Sequence, residues 1–211
     1  VDGILTITAI NNASIQLFDD DYSVGMPGWF QPKIETFGDV GGFVSYSLRF
    51  VDSQTGNDVY LHNYLLKGID FDGKGSGSRE FGEFGGSSSY IVNNPSDITT
   101  SADRTTGRTR FLGRSKFLNG LSFENTCSFI IRQEKPLNEV TFALGRTGAE
   151  ESTIFALVFG ANGVSFTNPV ETANSFLVAV DDFIEIENTS NANNNVRSEE
   201  RRVGKECRSR W

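Results

Sequence analysis

Three acidic side chains and a serine are spaced as if to hold a hard cation. The run is Asp70-Phe71-Asp72-Gly73-Lys74-Gly75-Ser76-Gly77-Ser78-Arg79-Glu80. Acids at its first and third positions, with glycine at the sixth, make the front half of a calcium loop. A hard cation needs several oxygens at once, and a glycine-rich backbone can curl tightly enough to converge them. In that arrangement Asp70, Asp72 and Glu80 supply carboxylates to Ca2+, and Ser76 supplies a hydroxyl or carbonyl oxygen. Two departures stand against it. Lys74 occupies the fifth position, where such a loop wants Asp or Asn, and the twelfth is Phe81, with the acid one residue early at Glu80. The same residues also read as a hairpin loop whose aspartates cap backbone amides.

A second cluster is basic. Asp103–Phe117 carries Arg104, Arg108, Arg110, Arg114 and Lys116. Arg108 and Arg110 alternate, so on a strand they project to one side. Guanidinium forks recognise carboxylate or sulfate oxygens in pairs. Arg108, Arg110 and Arg114 are therefore candidate ligand-binding residues, with an acidic polysaccharide as the ligand they suit. A solvated hairpin that offsets acidity elsewhere uses the same residues. Trp29, in the Gly/Pro-rich stretch Tyr22–Phe30, is a candidate sugar platform if exposed and a core residue if not. Asp19-Asp20-Asp21 reads as a solvated acidic turn.

Catalytic material is thin. His62 is the one imidazole, no G-x-S-x-G accompanies it, and Cys127 lies in the apolar stretch TCSFII. Glu80 and Glu83 are the nearest thing to a glycosidase pair, which needs two carboxylates at a suitable separation. No catalytic residue is assigned, and the expectation is a non-enzyme.

The elements that must position these groups are strands. Phe43–Val51 alternates Val44, Tyr46, Leu48 and Phe50 with Ser45, Ser47 and Arg49, the period of a half-buried strand. Gly3–Ile10 alternates with threonines. Ser14–Phe18, Val59–Leu66, Ser89–Val92, Thr126–Gln133, Glu139–Leu144 and Ile154–Phe159 are further strand segments, separated by turn residues such as QTGN, NNPSD and GANG. One short helical turn is expected around Phe117–Leu121. Eighteen phenylalanines beside one methionine and five prolines agree with strands. The predicted fold is all-β, an antiparallel two-sheet sandwich in jelly-roll or related order.

Composition closes off other classes. The 211 residues are 37% hydrophobic, enough to close a core. No apolar run approaches the roughly 20 residues that span a bilayer. A net charge of −8 argues against a general nucleic-acid binder.

The last fifteen residues have a different texture. After the polar stretch 188–195 comes RSEERRVGKECRSRW at 197–211, with six of the nineteen basic residues, Cys207 and Trp211. This run resembles the conceptual translation of a short-read sequencing adapter. Without it the chain has 13 basic and 24 acidic residues, a net charge of −11, and one cysteine, so no internal disulfide. Val178–Glu187, VAVDDFIEIE, resembles the opening of the Ig-like and cadherin-like modules repeated in tandem in large bacterial surface proteins. Asp181 and Asp182 would then be interdomain calcium ligands. Residues 40–160 resemble a β-sandwich module of very large secreted or surface-anchored bacterial proteins, carried by the QTG hairpin, the D-x-D-G-x-G loop and the SYIVNNP strand.

These resemblances imply a sandwich over 1–165, a linker over 166–177, the start of a tandem repeat over 178–196 and a foreign tail over 197–211. The function they imply is adhesion or ligand display at a cell surface or outside the cell, with calcium as stabiliser. Its partners would be a glycan or cell-surface ligand and neighbouring domains of the same chain. A carbohydrate-binding module of a secreted polysaccharide-degrading enzyme is the alternative.

Overall fold

The structure is a computed structural model. It describes residues 1–174 apart from 21–25, 27, 75–76, 104, 115–117, 119, 149–150 and 161–164, and of Lys74 only the backbone. The strands, in chain order, are β1 (Asp2–Asn11), β2 (Ala13–Leu17), β3 (Lys33–Thr36), β4 (Gly42–Val51), β5 (Tyr64–Ile69), β6 (Gly73–Lys74), β7 (Ser78–Gly85), β8 (Ser89–Asn93), β9 (Ile98–Asp103), β10 (Arg108–Gly113), β11 (Phe129–Gln133), β12 (Glu139–Thr147), β13 (Glu151–Ile154), β14 (Ala156–Phe159) and β15 (Pro169–Ala173). Among the described residues the one helical element is the 3-10 turn Asn125–Cys127.

The fold class is the expected one. A seven-stranded antiparallel sheet runs β1-β4-β12-β7-β10-β9, with β6 added beside β7. A five-stranded sheet runs β14-β5-β11-β8-β15. A third, three-stranded sheet β13-β3-β2 is an addition that sequence periodicity did not show.

The core explains the phenylalanine count. Phe84, Phe111 and Phe142 come from the first sheet and Phe129 from the second, and all are fully buried. Phe111 stacks on Phe129 with ring centres 4.0 Å apart and planes 9° apart. Phe84 stacks on Phe142 at 5.8 Å and 14°. Each such ring contributes up to about 3 kcal/mol through removal from water. Gly68 stands opposite Phe129 on the neighbouring strand, and a Cβ there would lie 2.2 Å from its ring, so a bare backbone is required.

Strand boundaries depart from periodicity where the backbone bends. Val59–Leu66 was expected as one strand, but regular pairing begins only at Tyr64, because Asn63 takes a left-handed φ of 54°. Asn tolerates that region better than other residues that carry a Cβ. Ile154–Phe159 divides at Phe155, which is buried between two short strands that pair with β3 and β5 respectively. Of the helical turn expected around Phe117–Leu121, Leu118, Gly120 and Leu121 are described and none is helical, while 117 and 119 lie outside the described residues.

The sandwich continues past 165. Strand β15 pairs with β8 inside the stretch assigned above to a linker, and the compact unit ends at Asn174. Asn174 fastens that end. It is buried, its Oδ1 accepts from the Thr109 hydroxyl at 3.2 Å, and its Nδ2 donates to the Ser87 carbonyl and hydroxyl at 3.0 and 2.6 Å. Periodicity missed β15 because the five residues PVETA are all exposed. The repeat start at 178–196, Asp181 and Asp182, and the tail at 197–211 lie outside the described residues.

Candidate functional site

The acidic run lies where β5, β6 and β7 meet. Asp70 adopts a left-handed φ of 62°, a strained conformation for a residue with a Cβ. Its Oδ2 accepts the Ser122 amide at 2.9 Å, while its buried Oδ1 has no hydrogen-bond partner among the described residues. The Asp72 Oδ2 accepts the Leu118 amide at 2.6 Å. Two carboxylates thus pin Leu118 and Ser122 to the strand ends. Asp72 also sits against β10, where a Cβ on Gly113 would come within 2.4 Å of the Asp72 carbonyl oxygen.

Glu80 belongs to the same cluster, its Oε2 accepting the Asp72 amide at 3.3 Å. Its Oε1 lies 3.2 Å from Arg146 Nη1, and both side chains are buried. Arg146 is held from several sides: Nε donates to the Ser78 hydroxyl at 2.9 Å, Nη2 lies 2.9 Å from Glu151, and Nη1 also reaches the Thr153 hydroxyl. Burial pushes the carboxyl pKa of Asp70 up to about 7, with a partly opposing hydrogen bond from Ser122. Burial likewise raises Asp72, and raises Glu80 well above the usual carboxylate range, with the Asp72 charge adding to it and Arg146 opposing it.

The proposed calcium ligands therefore have other engagements. Asp70 and Asp72 accept backbone amides, Glu80 faces Arg146, and Ser76 lies outside the described residues. Among the described residues no three His, Cys, Asp or Glu side chains gather in a way that could hold a metal ion.

The basic cluster is arranged differently. Thr109, Phe111 and Gly113 of β10 are buried, while Arg108 and Arg110 project from the outer face, as alternation required. They line a depression of about 360 Å³ together with Glu83, Ser101, Ala102, Asp103 and Thr106. Strands β7, β10 and β9 supply its floor, so its geometry is set by ladder hydrogen bonds.

Within the depression the two arginines have distinct states. The Arg110 Nε and Nη2 both lie 2.6 Å from Glu83 Oε1, and the guanidinium carbon sits 4.2 Å above the centre of the Phe81 ring. That side chain is held by a cation–π contact and an ion pair. Arg108 makes no ion pair among the described residues. Its cross-strand neighbour Asp103 is engaged elsewhere: Oδ1 accepts the Thr105 amide at 2.8 Å and Oδ2 the Thr106 hydroxyl at 2.9 Å. Those hydrogen bonds hold the Asp103 carboxyl below the usual range. Arg114 does not join this group. It lies beyond the end of β10, exposed, with its amide donating to the Asp97 carbonyl. Arg104 and Lys116 lie outside the described residues.

Trp29 is half-buried. It packs edge-on to Phe123 at 5.7 Å and covers the small cluster Ile69, Ala156 and Val158. It is mainly a cover for the second sheet, although Phe123 beside it remains 50% exposed. In the acidic turn, Asp19 accepts the Gln31 amide at 2.8 Å and Asp20 is buried, while Asp21 lies outside the described residues.

His62 is exposed beside Asn63, and Cys127 is buried and forms no disulfide among the described residues. Glu80 and Glu83 stand on opposite faces of β7, because three residues along a strand reverse the side-chain direction. They cannot flank one glycosidic bond.

The sequence indicated Arg108 and Arg110. It missed the partners that separate them, Glu83 and Phe81 on β7, and the lining that Ser101 of β9 and Thr106 of the following turn add. The only available signal was the alternation of Phe81 and Glu83, which carries no pairing information without the strand order. Arg146, the centre of the buried knot, had no signal at all.

The chain matches no known protein-family model and no curated protein. Among solved structures, the KRT10-binding region domain of the pneumococcal serine-rich repeat protein PsrP aligns with 82% of this chain and 98% of that one. The identity is 13% and the TM-score 0.21, too low to transfer any arrangement of strands or any ligand. No helix among the described residues is long and apolar enough to cross a membrane.

Proposed function

We propose that this chain is a non-catalytic β-sandwich module of a multidomain bacterial surface or secreted protein, acting outside the cell in adhesion or ligand display. The ligand surface is the outer face of the seven-stranded sheet. One observation carries this reading: Arg108 and Arg110 stand together in a depression floored by three paired strands, with one guanidinium fixed and the other without an ion pair among the described residues. A strand-built site holds its side chains more rigidly than a loop does. The chemistry offered is a guanidinium fork with the Ser101 hydroxyl beside it, which suits carboxylate- or sulfate-bearing glycans.

A glycan array that includes neutral, uronate and sulfated sugars tests this. Binding confined to acidic glycans, and abolished in Arg108→Ala, supports the proposal. Binding to neutral glycans that survives Arg108→Ala and is lost in Phe123→Ala would favour the carbohydrate-binding-module reading, through the aromatic pair Trp29 and Phe123.

A further inference from the structure

Strand β1 ends the seven-stranded sheet and pairs only with β4. No backbone hydrogen bond reaches its other side among the described residues. Such an edge is a template for another strand, and proteins ordinarily blunt it with charge, proline or brevity. β1 has little of this protection: its one charged residue is Asp2, at its start. It is ten residues long, and Gly3–Asn11 contains no Asp, Glu, Lys, Arg or Pro. Ile4, Ile7 and Ile10 are 44%, 40% and 52% exposed. The one irregularity is a bulge at Thr8, between Ile7 and Ala9. Beneath the edge an apolar groove of about 350 Å³ opens between the sheets, lined by Leu5, Leu48, Phe50, Phe142 and Phe159 among others.

We propose that this edge is the seam of a reversible two-fold dimer, in which β1 pairs antiparallel with β1 of a second copy. The occupant follows from self-complementarity. A two-fold axis at Leu5 sets Leu5 against Leu5, Ile4 against Thr6, Gly3 against Ile7 and Asp2 against Thr8. Every pair shares a face, because the side-chain period is two. No like charges meet along the seam. The two Asp2 carboxylates fall at opposite ends, roughly 20 Å apart at about 3.3 Å per residue, beyond the Debye length of about 8 Å at physiological salt. In a chain with a net charge of −8, this uncharged strip is where two copies approach with least repulsion.

The size of the seam sets its strength. Seven paired residues span about 23 Å and cover on the order of 500 Å² per copy, so the pair reaches only about 1,000 Å², the lower bound of specific interfaces. Dissociation in the range of about 10–100 µM is expected.

Sedimentation velocity of the full chain tests this, in reductant so that Cys207 cannot cross-link copies. Between about 5 and 500 µM the wild type shifts from monomer to dimer. Thr6→Lys and Ile4→Lys, both at exposed outward positions of the edge, remain monomeric with unchanged melting temperature. Amide exchange in β1 slows with concentration in the wild type and in neither variant. A monomer at 500 µM, or a dimer that persists in both variants, overturns the proposal. So does a β1 that captures an uncharged strand peptide while remaining monomeric by itself.

Discussion

Glu80 and Glu83 lie three residues apart on β7, and each holds an arginine. The first pair, with Arg146, is sealed inside the molecule; the second, with Arg110, opens to water. The difference lies in what surrounds each guanidinium. Arg146 spends four of its five N–H donors on Ser78, Glu80, Glu151 and Thr153, and its side chain is buried away from any ligand in solution. Arg110 is fixed by one carboxylate and one ring, beside a second arginine that has no ion pair among the described residues. Burial turns the charges of the first cluster into structural obligations. Exposure leaves the second available for recognition.

Removing each arginine is the strongest way to break this contrast. Arg146→Met leaves Glu80 buried without its cation and lowers stability by about 3–5 kcal/mol, or a melting temperature lower by about 10 °C. Arg110→Met costs less than about 1 kcal/mol, the worth of an exposed pair. Thermal melts at pH 7 that showed equal losses would erase the distinction between the two clusters.

A smaller effect comes from pH. The Asp70 carboxyl is pushed up to about 7 in the folded state, and Asp72 and Glu80 move in the same direction. For an acid whose folded pKa is raised, the folded state holds the proton more tightly than the unfolded chain. The advantage is full in acid below the unfolded value. It is lost as pH climbs from about 4 through about 7. The Asp70 shift alone corresponds to at most about 4 kcal/mol. Asp52 and Asp103 shift downward and act in the opposite sense, but both are fully exposed and screened. The melting temperature is therefore expected to rise as pH falls from 8 to 5. Asp70→Asn keeps an acceptor for the Ser122 amide and suits the left-handed backbone. It should flatten that rise and raise the melting temperature at pH 8 by roughly 5 °C. A pH profile identical to wild type would show that Asp70 is not charged at a desolvated site.

Calcium should have the smallest effect. With Glu80 turned to Arg146, and Asp70 and Asp72 accepting amides, millimolar calcium is expected to move the melt by less than about 1 °C. A rise of several degrees would mean that the glycine-rich turn after Gly73 draws these carboxylates onto an ion.

The sandwich was legible because its signal is local. The alternation in Phe43–Val51 and Glu139–Leu144 reports a face buried against a second layer, and both segments are strands of the large sheet. β15 was not legible, because an exposed edge strand has no buried face to impose a period. The candidate site was half legible. Spacing alone put Arg108 and Arg110 on one side of a strand. That Arg110 is held and Arg108 is not depends on β7 lying beside β10, a long-range pairing that no local pattern encodes. The acidic run shows a different gap between spacing and structure. Its spacing suited a cation, yet Arg146, distant in sequence, takes up Glu80.

The central claim is that the outer arginine face recognises an acidic ligand. Titration calorimetry with a sulfated oligosaccharide, repeated at several salt concentrations, tests it most directly. Wild type is expected to bind with an affinity that falls as salt rises. Arg108→Ala should lose at least tenfold in affinity while keeping the wild-type melting temperature. Equal affinity in wild type and Arg108→Ala, or no binding to sulfated or uronate oligosaccharides at low salt, would contradict the account.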